Sequence, residues 1–174
     1  LTLIVVEIIL RLFQPKPFIR NFSAPAFGLP TAVKANLNEN SFFNKKISYR
    51  IITNNKRLRI SKSVSYSKPL DTYRILCLGD SIFFGLGVNN NEIFSFFLEK
   101  VLNKNYPNKN FEVITAAAPN WSPVEFYLYL INEGYKFSPD LIIISKFIDD
   151  FSNISENRIE FKSINYAKVK NRFQ

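Results

Sequence analysis

The sequence predicts an α/β fold in which a parallel sheet carries helices on both faces, giving three layers. Three apolar runs have the length and flanks of buried strands, and they lie near residues 73–79, 111–117 and 140–147. Two stretches with helical periodicity separate these runs, so the predicted order is strand, helix, strand, helix, strand. This alternation is typical of parallel sheets with helical crossovers.

The composition indicates a folded domain with an unevenly charged leader. The chain has 174 residues, of which 47% are apolar and 16% aromatic, and a net charge of +9. Residues 1–70 hold 12 Lys/Arg against 2 Asp/Glu, whereas residues 71–174 hold 11 against 12. The basic charge therefore belongs to the leader. No nucleic-acid-binding module accompanies it, so we predict no nucleic-acid partner.

The first stretch, residues 1–13, is apolar apart from Thr2, Glu7 and Arg11. Thirteen residues are too few for a bilayer that needs about 20. Because the chain has no methionine and this stretch has no small-residue cleavage site, we expect a truncated start and a partial transmembrane helix. An amphipathic surface helix is the alternative.

The rest of the leader, residues 14–70, is predicted to be a basic connector. Four prolines between residues 14 and 30 favour an extended chain. Residues 48–60 contain two β-prone runs around Asn54-Asn55, which tolerate the positive φ of a tight turn. We therefore predict a small β-hairpin near residues 48–60.

Two helices are expected between the predicted strands. Residues 92–103 place apolar side chains on one helical face. The segment from Ser122 to Glu125 has the pattern of a capping box with Pro123 at the first helical position, and Gly134 is a plausible stop. Residues 151–174 show no clear period.

The first predicted strand ends at Gly79 and is followed by Asp80 and Ser81. A side chain in such a strand-to-helix turn lies in the crevice where open α/β sheets bind ligands, so Ser81 is well placed for nucleophilic attack. The alternative is that Ser81 only caps the following helix. Cys77, in the middle of the strand, is interpreted as a small core residue.

Residues 79–88, GDSIFFGLGV, resemble the first sequence block of the SGNH/GDSL hydrolases, and the resemblance extends from residue 48 to residue 150. It is closest to the membrane-anchored bacterial type. It implies a flavodoxin-like three-layer α/β/α fold and serine ester chemistry without cofactor or metal. Ser81 would be the nucleophile and its backbone N–H an oxyanion donor, while Asp80 would brace the turn.

The hairpin that precedes this block in such proteins usually contains glycine-leucine-arginine. Here Leu58-Arg59 follows Lys56-Arg57, so a basic residue stands where glycine is common.

The second block of the family is Asn-Ala-Gly-x-Pro-Gly, and residues 115–120 read TAAAPN. The resemblance places Ala117 at the first glycine, whose backbone N–H donates to the oxyanion. Alanine keeps that N–H, but its methyl group requires a negative φ or some strain. The alternative is a small residue that lets strand and helix pack.

The third block is Gly-x-Asn-Asp, where this chain has Phe147-Ile148-Asp149-Asp150. Asp149 replaces the asparagine that would donate to the oxyanion, and an ionised carboxylate there would repel it. Asp150 keeps the family residue. The alternative for both is a solvated acidic loop or a cation site.

The family base is the histidine of a C-terminal Asp-x-x-His, and this chain has no histidine. We therefore expect residues 71–174 to be the N-terminal portion of the hydrolase domain. The resemblance implies an ester hydrolase or O-acyltransferase acting on acyl or acetyl esters of a lipid or glycan. Its domain would be tethered by the N-terminal helix on the extracytoplasmic side of a bacterial membrane.

The alternative from another functional class is a non-catalytic, membrane-tethered binding or scaffold module. Nucleotide binding through the glycines of the Ser81 loop fits poorly, because the chain has neither G-x-G-x-x-G nor G-K-[ST].

Overall fold

A computed structural model describes residues 23–44, 46–60 and 62–145. This part of the chain has mixed α/β structure, with one three-stranded parallel sheet and two small antiparallel sheets of two strands each. The expected membrane helix at residues 1–13, the acidic pair Asp149 and Asp150, and residues 151–174 lie outside the described residues. Within the described ranges, no helix is long and apolar enough to cross a bilayer.

The parallel sheet is built around its central strand. Its strand order is β6-β5-β7, formed by β5 (Thr72–Gly79), β6 (Asn110–Ala117) and β7 (Leu141–Ile144). In the register, Gly79 lies opposite Ala117 and Leu78 opposite Ile144. The three predicted strands and their parallel arrangement are thus confirmed for the described residues.

Two helices lie against opposite faces of this sheet. Helix α2 (Phe94–Asn105) packs through Leu98 and Leu102 on the face that carries Ile75 and Val113. Helix α3 (Pro123–Asn132) packs on the other face, with a larger cluster that includes Leu76, Leu78, Ile114, Phe126 and Tyr129. Alternate residues of a strand point to opposite faces, so odd and even positions of β5 meet different helices.

Helix α3 begins with the predicted capping box and N-terminal proline. The Ser122 hydroxyl accepts from the N–H of Val124 at 3.3 Å, and Glu125 Oε2 accepts from the N–H of Ser122 at 2.7 Å. Pro123 occupies the first turn, where its missing N–H has no intrahelical partner in any case. The helix ends at Asn132, two residues before Gly134.

Cys77 is fully buried in β5, and burial raises the pKa of its thiol to about 12. The thiol is therefore protonated at neutral pH, and the interpretation of Cys77 as a core residue is confirmed.

The leader is more ordered than the predicted extended connector. Within residues 14–30, strand β1 (Ser23–Ala26) turns back to pair with β2 (Leu29–Val33). Phe27 and Gly28 form the turn, both with positive φ (58° and 75°), which is the pattern of a type I′ hairpin. Prolines at a strand end or edge are compatible with this pairing.

The predicted hairpin at residues 48–60 is wrong in position. The observed hairpin pairs β3 (Asn38–Phe43) with β4 (Ile47–Ile52), and Phe43 lies opposite Ile47 at its turn end. Asn54 does form a local turn, because its side-chain oxygen accepts from the N–H groups of Lys56 and Leu58. The chain then enters the core at Leu58, which is fully buried, and does not return to pair with β4.

The leader shares one core with the sheet. Buried leader residues belong to the same apolar cluster as Leu76 and Leu78 of β5, namely Leu29, Ala32, Val33, Leu37, Tyr49, Ile51, Leu58 and Val64. Burial of this apolar surface ties the leader to the α3 face of the sheet.

Candidate active site

Ser81 lies directly beyond the carboxyl end of the central strand, at the start of the short helix α1 (Ser81–Phe84). Its residue is partly exposed, and no described residue forms a hydrogen bond with its Oγ. The hydroxyl is therefore available to a ligand in the crevice at this edge of the sheet.

Asp80, not Ser81, caps helix α1. Asp80 Oδ1 accepts a hydrogen bond from the N–H of Ile82 at 2.8 Å, and the residue is only 5% exposed. This confirms that Asp80 braces the turn, and it removes the alternative in which Ser81 serves as the cap.

Close contacts and backbone conformation explain why two positions of the Ser81 motif, 79 and 85, are glycine. A side chain at Gly79 would place its Cβ 2.6 Å from the Cβ of Phe83, which is closer than two non-bonded carbon atoms can approach. Gly85 ends α1 with φ at +76° and donates to the carbonyl oxygens of Ser81 and Ile82, both at 3.0 Å. These two positions fix the direction in which the chain leaves Ser81.

The carboxyl ends of all three parallel strands meet beside Ser81. The N–H of Ala118, just after β6, donates to the carbonyl of Gly79 at 3.3 Å. The N–H of Ser145, just after β7, donates to the carbonyl of Leu78 at 2.9 Å. The segments that follow β6 and β7 therefore start at the edge where Ser81 lies.

Ala117 is buried at the end of β6 and does not have a positive φ, so its methyl group causes no backbone strain. Successive residues of a strand direct their N–H groups to opposite sides, and the neighbouring N–H of Ala118 points to β5. The N–H of Ala117 consequently points away from β5. This orientation favours the packing role that its small side chain allows.

Asn120 is a residue that the sequence reasoning passed over. It is exposed in the loop after β6 and has φ at +67°. The N–H of Trp121 donates to the carbonyl of Ala118 at 3.2 Å, which with Pro119 and a left-handed Asn120 matches a type II turn. The sequence carried a signal for this left-handed residue, since Asn120 aligns with the last glycine of the pattern Asn-Ala-Gly-x-Pro-Gly that the resemblance supplies.

Arg59 is a second such residue, and it holds the loop that follows Ser81. Its side chain is almost fully buried, and its guanidinium donates to the carbonyl oxygens of Phe84, Gly85 and Val88. Burial lowers the pKa of Arg59 to about 10, so the group remains charged at neutral pH. A cation from the leader thus anchors the C-terminal end of α1.

Arg57, two residues earlier, has φ at +63°. The resemblance places a glycine at Lys56 or Arg57, and glycine is the residue that adopts this conformation most readily.

The chain contains no histidine, and among the described residues no three Cys, Asp or Glu side chains cluster as a metal site. Asp149 and Asp150 follow the described part of β7, so the structure does not place them. Comparisons with protein-family models, with curated proteins and with solved structures find no significant match to this chain. The functional assignment consequently depends on the residues described above.

Proposed function

We propose that this chain carries the N-terminal part of an SGNH-type serine ester hydrolase or O-acyltransferase, with Ser81 as its nucleophile. The observation that carries the proposal is the position of Ser81 at the carboxyl edge of the central strand, with an Oγ that no described residue engages. Ligands of open parallel α/β sheets bind at this edge, where the strand order reverses.

The strand order supports a flavodoxin-like architecture. In chain order β5 is the first strand of the parallel sheet, β6 the second and β7 the third, so the sheet reads 2-1-3. This is the beginning of the flavodoxin-like order 2-1-3-4-5, whose binding crevice lies between the first and third strands. Ser81 follows the first of these strands.

Backbone conformation supplies independent support for the resemblance. Arg57 and Asn120 stand at two positions where the family patterns have glycine, and both adopt a positive φ. Non-glycine residues adopt this conformation only a few per cent of the time. The backbone conformation at these two positions therefore supports the proposal.

In the proposed reaction, Ser81 Oγ attacks the ester carbonyl carbon and transfers its proton to a base, while the carbonyl oxygen becomes an oxyanion. The backbone N–H of Ser81 is one proposed donor to the oxyanion. The resemblance implies Ala117 as the second donor, but its N–H points away from β5. Asn120 is therefore the donor that we favour, because its N–H and carboxamide lie in the exposed loop beyond β6. Collapse of the intermediate expels the alcohol and leaves an acyl-serine.

The proposed substrate is an acyl or acetyl ester of a lipid or glycan, and the proposed setting is the extracytoplasmic side of a bacterial membrane. These proposals come from the resemblance, supported by the apolar stretch at residues 1–13.

Added imidazole tests the nucleophile directly, because it can replace the missing histidine as a base. We would measure hydrolysis of p-nitrophenyl acetate by the 174-residue chain with and without imidazole. Ser81→Ala is the test variant, and Ser67→Ala, an exposed serine of the leader, is the matched control.

We expect no serine-dependent hydrolysis without imidazole, because an unassisted hydroxyl is a weak nucleophile at neutral pH. With imidazole, wild type and Ser67→Ala should exceed the background rate of imidazole alone, and Ser81→Ala should not. Equal rescued rates for Ser81→Ala and wild type would refute Ser81 as the nucleophile.

A second candidate is a non-catalytic binding or scaffold module. Two features of the sequence favour it: the absence of histidine, and a carboxylate at Asp149 where the family has an amide. Failure of rescue with every ester, in a chain that binds an ester analogue in a Ser81-dependent manner, would favour this candidate over the enzyme.

A further inference from the structure

A cavity lies away from Ser81, between the leader and the start of α2. Its volume is about 380 Å³, within the usual range for small-ligand sites. Strand β4 with Arg59, Ile60 and Lys62 forms one side, and residues between 89 and 99 with Val113 of β6 form the other. Ser81 and Ala117 do not line it, so this space is distinct from the proposed ester site.

Hydrogen bonds between the two sides hold the cavity open. The side chain of Asn90 accepts from the N–H of Ile52 at 3.1 Å and donates to its carbonyl at 2.7 Å, so it pairs with the edge of β4 as a strand would. Asn90 also accepts from Arg59 Nε at 3.3 Å, and Asn89 accepts from the N–H of Arg50 at 2.9 Å. The walls are therefore pre-organised, which lowers the cost of binding.

The charges around the cavity are unbalanced. Arg50, Arg59 and Lys62 line it, together with one carboxylate, Glu99. Lys62 Nζ pairs with Glu99 Oε1 at 2.7 Å, whereas Arg50 and Arg59 form no ion pair with any carboxylate in the described part of the chain. The N–H groups of the buried Arg59 already donate to Asn90 and to backbone carbonyls, so Arg59 adds positive charge beside the cavity and Arg50 is the arginine left to bind an anion.

The remaining lining is mainly apolar, contributed by Ile52, Ile60, Ile93, Phe96 and Val113. An inorganic anion would leave this surface in contact with water, and an uncharged apolar molecule would leave Arg50 without an ion-pair partner. A ligand with both features satisfies both parts of the cavity.

We propose that this cavity binds an apolar ligand with a single anionic head group, such as a medium-chain carboxylate, whose head lies near Arg50 and Arg59 and whose tail contacts the isoleucines. The site is independent of ester turnover at Ser81.

Calorimetric titration of the 174-residue chain with octanoate tests the proposal, with octanol and octylammonium as neutral and cationic probes of the same tail. Arg50→Gln removes a cation from an exposed position of the lining. Lys109→Gln removes an exposed cation beyond the other end of α2 and is the matched control. Glu99→Gln removes the competing carboxylate and keeps an acceptor for the N–H of Val113, which Glu99 now binds at 2.8 Å.

We expect octanoate to bind one-to-one and more tightly than either other probe. Arg50→Gln should weaken binding about five-fold, Glu99→Gln should strengthen it about as much, and Lys109→Gln should leave it unchanged. The opposite signs matter because general damage to the fold would weaken binding in both variants.

Absence of octanoate binding by a folded wild-type chain would overturn the proposal. So would equal affinity for octanoate and octanol with no response to the charge variants, since that result indicates non-specific apolar contact.

Discussion

Arg59 donates a hydrogen bond from its buried guanidinium to the backbone carbonyl of Gly85, the residue that ends the helix starting at Ser81. The same guanidinium reaches the carbonyls of Phe84 and Val88, and its Cζ lies 4.7 Å from the centre of the Phe84 ring. The last carbonyls of a helix have no intrahelical partner, and here a leader residue supplies one. The leader thus contributes directly to the shape of the Ser81 loop.

Replacing Arg59 by leucine should destabilise the fold by about 3 kcal/mol, because buried carbonyl oxygens would lose their donors. Urea unfolding, followed by circular dichroism, measures this loss. The exposed Arg50→Leu is the control and should change the free energy of unfolding by less than about 0.5 kcal/mol. Similar small losses for both variants would show that water can take over the role of Arg59.

Replacing Gly85 by alanine should cost about 3 kcal/mol, because strain and collision add together. The residue has φ at +76°, and an added Cβ would lie 2.6 Å from Ile93 Cγ2 and 3.0 Å from Arg59 Nη1. Gly28→Ala separates the two causes, since Gly28 has a similar φ of +75° but its nearest contact would be 3.4 Å away. The free energy of unfolding of Gly28→Ala should fall by only about 1 kcal/mol.

Equal losses for the two glycine variants, measured by the same urea titration, would mean that the loop after Ser81 relaxes around the added methyl group.

The free energy of unfolding should depend on pH through the ionisation of Asp140. Partial burial disfavours its charge, but the hydrogen bond from Lys68 at 2.6 Å and that from the N–H of Arg74 at 2.7 Å outweigh it and hold the pKa of Asp140 below its usual range. Because the folded-state pKa is the lower one, the stabilisation is present above the unfolded value of about 3.9 and is lost as pH falls through the folded value.

Asp140→Asn should therefore cost about 1 kcal/mol at pH 7, and the difference from wild type should shrink as pH falls below the unfolded value of about 3.9. Urea unfolding across that range gives the comparison. Asp71→Asn is a suitable control, since Asp71 is exposed and has φ at +58°, which asparagine tolerates. If the loss of unfolding free energy in Asp140→Asn stays constant with pH, it comes from altered packing or hydrogen bonding and not from the lost charge.

Local sequence signals predicted the parallel sheet and its helices well. The strand ending at Gly79 and the capping box at Ser122 are set by residues a few positions apart, so pattern alone defines them. The leader hairpins depend on pairing that local patterns specify weakly. Asn54 shows the limit, because its turn is real but the burial of Leu58 directs the following chain into the core.

In the candidate site, too, the sequence predicted features that depend on local residues and missed those that depend on long-range contacts. The motif identified Asp80 as the residue that braces the turn. The last glycine of the second family pattern pointed to Asn120, but no role was predicted for that residue. Nothing local marked Arg59 as the anchor of a loop 25 residues further along the chain, because its partners are backbone carbonyls with no side-chain signature.

Under the proposed function, Asp149 occupies the position of an asparagine that donates to the oxyanion. In the imidazole-supplemented assay, Asp149→Asn should raise Ser81-dependent turnover at neutral pH by roughly ten-fold, because it exchanges a repulsive carboxylate for a hydrogen-bond donor. The ratio of variant to wild-type rates should fall toward one in acid, since a protonated carboxyl can donate in place of the amide. Asp150→Asn is the control, because Asp150 keeps the family residue. If Asp149→Asn lowers turnover at every pH, Asp149 acts as an acid, a base or a cation ligand, and its assignment to a weakened oxyanion site is wrong.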